Sequence, residues 1–332
     1  MSEQLPLFSA PQTKPRGASP PVLPASLALE LAALARDLPG GIFLGTSSWS
    51  FPTWSGLVYA DVYEGQTLAH DGLRAYAQHP LLRSVGIDRT FYAPIAASEF
   101  RHYAEQVPAG FRFLVKAPSE CVSPFRRAEA GIRQPENPNF LEASFAAGRF
   151  VLPALEGLGD KTGPLVFQFP PVSRALAANS AGFARRLGDF LARLPRGPLY
   201  AVELRDVGLL TDDYLAALRD VGARHCLGLH PRQPGVREQA RLLNKLEPGP
   251  LVVRWNLHLG FGYEEARQRY YPFARLQDED LPTRVAVARL CLETIAAGHP
   301  AFVIANNKAE GCAPLSIVKL AALIVQEASA GA

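Results

Sequence analysis

Cysteine is scarce in this chain of 332 residues: four, at 121, 226, 291 and 312, with no C-x-x-C pair and no zinc-like spacing. That argues against a disulfide scaffold or a thiolate metal centre and fits reduced thiols. Histidine is almost as sparse at seven residues. No H-x-H or H-E-x-x-H occurs, and only His230 and His258 fall near the ends of apolar runs, so no metal site is expected. No G-x-G-x-x-G follows the first apolar run, which weakens a dinucleotide-binding reading. The formal charge of +3 is too small to identify a nucleic-acid or membrane binder. No secretory segment opens the chain, and no apolar run reaches the roughly 18 residues of a membrane span, so a soluble, cytoplasmic protein without membrane contact is expected. No fixed sequence period points to a repeat architecture.

What is present is a large apolar fraction, 48%, enough for a full core. Residues 1–27 are rich in proline and polar residues and cannot bury enough surface to offset ordering entropy, so they are expected to form a disordered tail. "LALELAALARDLPGG" reads as a lead-in helix within 28–40, stopped by Pro39, Gly40 and Gly41.

From residue 41 to about 328, short β-rich runs alternate with helical stretches. The runs are "IFLGTSS" (42–48), "LLRSVGID" (81–88), "FRFLVKAP" (111–118), "PLVFQFP" (164–170), "LYAVELRD" (199–206), "ARHCLGLHP" (223–231), "LVVRWN" (251–256) and "AFVIANN" (301–307). "TDDYLAALRDVG" between two of them has a Thr-Asp-Asp cap and a Gly222 stop. Eight such runs alternating with helices predict an α/β chain folded as a single (β/α)8 TIM barrel.

In such barrels the chemistry sits at the C-terminal strand ends. Here nearly every run ends in a polar group: Thr46, Asp88, Lys116, Gln168, Glu203 with Arg205, His230, Arg254 with Asn256, and Asn307. Strand side chains alternate, so Glu203 shares a face with Arg205, and Arg254 with Asn256, while Val115, Phe167, Leu204 and Trp255 face the helices. Three cations (Lys116, Arg205, Arg254) meet two carboxylates (Asp88, Glu203). The surplus positive charge suits a small anionic ligand or a nucleic-acid backbone. Lys116, crowded by arginines, is the candidate base or nucleophile; Glu203, with Asp88 beside it, is the candidate acid or base. The competing reading is a salt-bridge network that only closes the barrel top. Of the aromatic residues after the first two runs, Trp54 and Phe91 are expected to pack as a cap, and Trp49 and Tyr92 to meet a ligand. A magnesium ion on Asp88 and Glu203 and a two-carboxylate glycosidase are both disfavoured. No cofactor is expected.

These strand ends resemble the YecE-like domain of unknown function, number 72 in the domain-family series. "GTSSWSFPTW" is similar to the family's G-T-S-G-W-S-Y-x-x-W opening, "VGIDRTFY" to V-E-x-N-x-T-F-Y, and "FRFLVKAP" to F-x-F-x-V-K-x-P. "QFPP", "AVELRD" and "ANNKAEGCAPLS" follow in the family's order. The resemblance implies a TIM barrel and retains Trp49, Thr90, Tyr92, Lys116, Gln168, Glu203, Arg205, Arg254, Asn306 and Asn307. It departs at Gly86, Asp88, Asn256 and Lys308, where the family usually has Glu, Asn, His and Asp. It brings no established reaction. Two functions are carried forward. One is an enzyme, a hydrolase or lyase, acting on a phosphate-bearing or otherwise anionic substrate, with Gln168, Asn256, Asn306 and Asn307 as orienting groups. The other is a non-catalytic anion-binding module.

Within the tail, "QLPLF" resembles the short peptides by which bacterial replication and repair proteins dock on the sliding clamp. Leu7 and Phe8 would be the apolar anchors, with Gln4 and Leu5 beside them.

Overall fold

The computed structural model describes residues 21–126, 135–171 and 178–330. Eight parallel strands close into a barrel in sequence order: β1 Ile42–Thr46, β2 Ser84–Ile87, β3 Arg112–Lys116, β4 Thr162–Phe169, β5 Tyr200–Leu204, β6 Arg224–Leu229, β7 Leu251–Trp255 and β8 Ala301–Ala305. Seven strands fall within the predicted runs, and β4 starts two residues ahead of its run, at Thr162. Closure is made by β1 against β8, paired from Ile42↔Ala301 to Thr46↔Ala305.

Helices cover the outer face. Asp212–Val221 starts where the Thr211 hydroxyl accepts from Tyr214 N (3.3 Å) and stops at Gly222 in the left-handed region (φ 70°), the cap and stop that its sequence implied. Leu281–Ala296 starts on the Asp280 carboxylate, which accepts from Thr283 N. The lead-in helix is Leu29–Asp37.

The chain is already structured ahead of residue 27, where the unpaired tail was expected to end. Ala25 N donates to Val58 O (3.0 Å), Ala60 N donates to Leu23 O (2.9 Å), and Val22 is buried. The pairing partner lies more than 30 residues away, which composition alone does not register. Ala313–Ala330 is also long and apolar enough for a membrane span by length and composition, with a mean hydropathy of 1.3, although Lys319, Gln326 and Glu327 interrupt its apolar run. It buries Ile317, Leu320, Ala321 and Ile324 and packs on β1 and β8. That is how a core helix spends its apolar face.

The barrel interior is layered. Leu114, Val166, Ala201, Cys226, Val252 and Ile304, one from each of β3 to β8, form a fully buried apolar ring. Strand side chains alternate, so the next inward positions are two residues further on: Lys116, Gln168, Glu203, Gly228, Arg254 and Asn306. The apolar ring is thus the floor on which the polar layer stands.

Candidate active site

Glu203 lies at the centre of that layer, fully buried. Arg254 Nη1 donates to its Oε2 (2.6 Å), and Arg205 Nη2 lies 2.7 Å from its Oε1. Asn256 Nδ2 adds a longer bond to Oε1 (3.3 Å). Arg254 Nη2 also reaches both oxygens of Asp88 (3.0 and 2.9 Å). Burial alone would raise the Glu203 carboxyl, but Arg205 and Arg254 outweigh it and hold it down to about 2. Burial likewise opposes charge on Arg254, yet Asp88 and Glu203 raise its pKa further. Glu203, expected as a general acid or base, is thus a carboxylate that its two arginines favour in the ionised form. A carboxylate held ionised between two guanidiniums neither donates nor takes a proton near neutral pH; it aims the arginines. Asp88 is committed to Arg254 in the same way, with its side chain one third exposed.

Two local features let Glu203 sit there. β5 and β6 pair only at Ala201↔Arg224 and Val202↔His225. Beyond that point Gly228 N and O bond instead to the Gln239 side chain, at 3.2 and 3.1 Å. A Cβ on Gly228 would come within 2.8 Å of Glu203 Oε1 and 2.9 Å of its Cγ. Glycine is required because the carboxylate occupies the space of a side chain. Sequence reasoning missed Gly228, although an isolated glycine inside an apolar strand run was the available signal.

Lys116, at the end of β3, differs from the arginines. It is 9% exposed, and among the described residues no carboxylate lies within ion-pair distance of its Nζ. The ammonium instead lies 3.5 Å from the centroid of the Phe91 ring. Burial, then Arg254, lowers its pKa to about 8, with Asp88 and Glu203 opposing. Thr90 ties the turn carrying Phe91 to β3: its hydroxyl donates to Ile87 O (2.9 Å) and to Lys116 O.

Beside this layer lies a cavity of about 600 Å³, within the range of small-molecule sites. Phe91, Gln168, Arg205, His230, Arg232 and the loop Leu257–Tyr263 contribute to its wall. Arg205 spends one nitrogen on Glu203, and its buried Nε has no partner among the described residues. Burial and then Arg205 push His230 down to about 4, so the imidazole is neutral at pH 7. Lys308 is a further cation near Asp88, its Nζ 4.6 Å from the Tyr263 ring centroid; burial pushes its pKa down and Asp88 opposes.

Several residues expected to meet a ligand have partners within the fold. Trp49 is buried, donates through Nε1 to Leu68 O (2.8 Å) and packs edge-on against Tyr103, so it belongs to the core. Tyr92 is 77% exposed, and Phe91 packs against the core, as a cap should, while also contributing to the cavity wall. Trp54 is fully buried, as a cap should be. Asn307 Oδ1 accepts from Ala313 N (2.8 Å) and holds the start of the last helix. Asn306 Nδ2 donates to Ser47 Oγ (2.8 Å), joining the ends of β8 and β1. Gly86, where the resembling family carries Glu, faces the Ser47 backbone: a Cβ there would lie 3.2 Å from Ser47 Cα. Gln4, Leu5, Leu7 and Phe8 lie outside the described residues. Among the described residues, His70, Asp71 and His102 have ligand atoms within 4.8 Å of one another on the outer helices, a grouping that spacing along the chain did not suggest.

A family model described as "Protein of unknown function DUF72" matches residues 43–331. Two solved structures resemble the chain. A DUF72 family protein from Enterococcus faecalis V583 is 16% identical, with a TM-score of 0.57 over 85% of this chain and 95% of its own. A DUF72 family protein from Thermotoga maritima MSB8 is 17% identical, with a TM-score of 0.55 over 85% and 98%. At that identity the likeness is one of fold. No curated protein matches the chain.

Proposed function

The chain belongs to the DUF72 family, and from that premise we propose that it is a cytoplasmic enzyme acting on a small anionic substrate at the barrel mouth. Lys116 is its proton-transfer or nucleophilic group. The observation that carries this reading is a buried lysine without a carboxylate partner among the described residues, beside an arginine whose Nε has no partner among them. Burying an unpaired ammonium costs several kcal/mol and is rarely kept for structure alone. Arg205 and Arg232 present guanidinium groups for a phosphate or carboxylate, and Gln168 and neutral His230 add polar groups to the wall. The cavity favours a small molecule or a single nucleotide over a nucleic-acid duplex. Glu203, Asp88 and Arg254 act as the frame.

The test is calorimetric titration with inorganic phosphate and with oxalate. Saturable binding is expected in the wild type, weakened about 10- to 100-fold in Arg205→Ala, the loss of one charge-assisted hydrogen-bonding group. Heat that never saturates, or an unchanged affinity in Arg205→Ala, removes the proposal. A second reading, a binding module without turnover, is favoured by Gly86 and Asn256 standing where the resembling family has Glu and His. Anion binding in the wild type and in Lys116→Met alike, with no turnover on any anionic substrate offered, would select it.

For the N-terminus the proposal is docking of Gln4, Leu5, Leu7 and Phe8 on a bacterial sliding clamp, resting on the "QLPLF" pattern alone. Deleting residues 1–9 is expected to abolish co-purification with the clamp while thermal melting of the barrel stays unchanged. Retained co-purification rules the segment out.

A further inference from the structure

We infer that Lys116 forms an imine with the carbonyl carbon of its substrate, so that the site takes a small aldehyde or ketone bearing a carboxylate or phosphate. The inference rests on the reading of the mouth as an anion site and adds the reacting group.

Three observations converge. The Lys116 amine is confined at the end of β3, 9% exposed, without a carboxylate to hold its proton among the described residues. Its ammonium lies over the face of Phe91, a residue of the cavity wall. An apolar ring over an amine excludes water from the nitrogen and from any imine formed on it. The groups around it are Arg254 from β7, Glu203 from β5, Asp88 after β2 and Arg205 after β5. The two carboxylates are already bound to the arginines, so they do not neutralise the ammonium at contact range. The resulting pKa of about 8 leaves a useful fraction of free amine at neutral pH. Arg205 contributes to the cavity wall, and its Nε has no partner among the described residues, so it is the group assigned to the anionic end of the substrate.

The step balances without redox chemistry. The Nζ lone pair adds to the carbonyl carbon, giving a carbinolamine. The C–O bond then breaks, and the oxygen leaves as water carrying the two hydrogens of the amine. The N=C bond remains and, once protonated, is an electron sink for C–C cleavage or proton loss at the adjacent carbon. This chemistry falls on the lyase side of the hydrolase–lyase alternative.

The test uses the full chain with glyoxylate, pyruvate or glycolaldehyde phosphate, and with propionaldehyde as the neutral control, each trapped by cyanoborohydride. Peptide mass spectrometry then reads adducts at Lys14, Lys116, Lys161, Lys245, Lys308 and Lys319. A saturable adduct is expected on Lys116, at least about tenfold over any other lysine for the anionic compounds but not for propionaldehyde, and reduced in Arg205→Ala. The arms separate the carboxylate from the phosphate source. Labelling that follows surface exposure, or that spares Lys116, overturns the inference. If phosphate still titrates saturably in that case, the imine falls and the anion site stands; if phosphate fails as well, both fall.

Discussion

Lys116→Met is expected to stabilise the folded chain at pH 7 while abolishing whatever turnover the barrel mouth supports. The lysine is 9% exposed and lacks an ion partner among the described residues. Its pKa is held at about 8 against an ordinary 10.5, so the protonated form carries a cost of about 3 kcal/mol. The contact with the Phe91 ring returns about 1–2 kcal/mol of that. Methionine fills a similar volume with no charge and forfeits only the ring contact. The net expectation is a gain of about 1–2 kcal/mol, read as a shift in urea midpoint at unchanged slope.

The pH dependence has a definite sign. The folded pKa lies below the unfolded one, so below about 8 both states carry the proton and the folded state bears the whole cost. Between about 8 and 10.5 the unfolded chain still binds a proton that the folded chain has released. Wild-type stability therefore rises through this window relative to Lys116→Met, and the gap closes above it. A variant less stable than wild type by more than about 1 kcal/mol at pH 7 would instead make Lys116 a working member of an ion-pair network, a group whose loss is costly. That result would return the site to a purely structural reading. Residues kept at a cost to stability cluster where function needs them, which is why this sign matters more than its size.

How far the site was legible in the sequence follows from the kind of interaction involved. All eight strands were legible because each is a local apolar run, and the alternation of side chains placed Lys116, Gln168, Glu203 and Arg254 on the inner face. Roles set by tertiary neighbours were not legible. Trp49 and Tyr92 both looked like ligand aromatics, yet one is pinned by the Leu68 carbonyl and the other projects into solvent, leaving Phe91 on the cavity wall. Nothing local to "ANN" says that Asn307 caps a helix while Asn306 reaches across to Ser47. Glu203 was legible as a residue of the mouth, but the groups that set its charge were legible only in part. Its strand end and its neighbour Arg205 were both visible in "AVELRD", but the second guanidinium, Arg254, arrives from β7.

That reassignment has its own large consequence: Glu203→Gln is expected to lose about 3–5 kcal/mol of stability, the penalty for breaking a buried ion pair. Glutamine keeps the shape that the Gly228 gap accommodates. It leaves Arg205 without its carboxylate and Arg254 with Asp88 alone. The wild-type carboxyl is held at about 2, well below its ordinary 4.5. Its contribution is therefore fully present above about 4.5 and drains away as pH falls toward 2. The stability gap between wild type and Glu203→Gln should be constant above pH 5 and narrow through that acid window, a signature that a merely misfolded variant would not share. A loss under about 1 kcal/mol, or a gap indifferent to acid, would sink the frame role. A frame also differs from a catalytic acid in what its removal does to binding. With its negative charge gone, the surplus positive charge at the mouth grows, so Glu203→Gln should bind inorganic phosphate at least as tightly as wild type. Replacing Glu203, Arg205 and Arg254 together by apolar residues of similar volume should restore much of the lost stability and none of the phosphate affinity. Stability thus falls in the single variant while anion binding does not, as expected of a carboxylate that occupies guanidinium donors an anion would otherwise take.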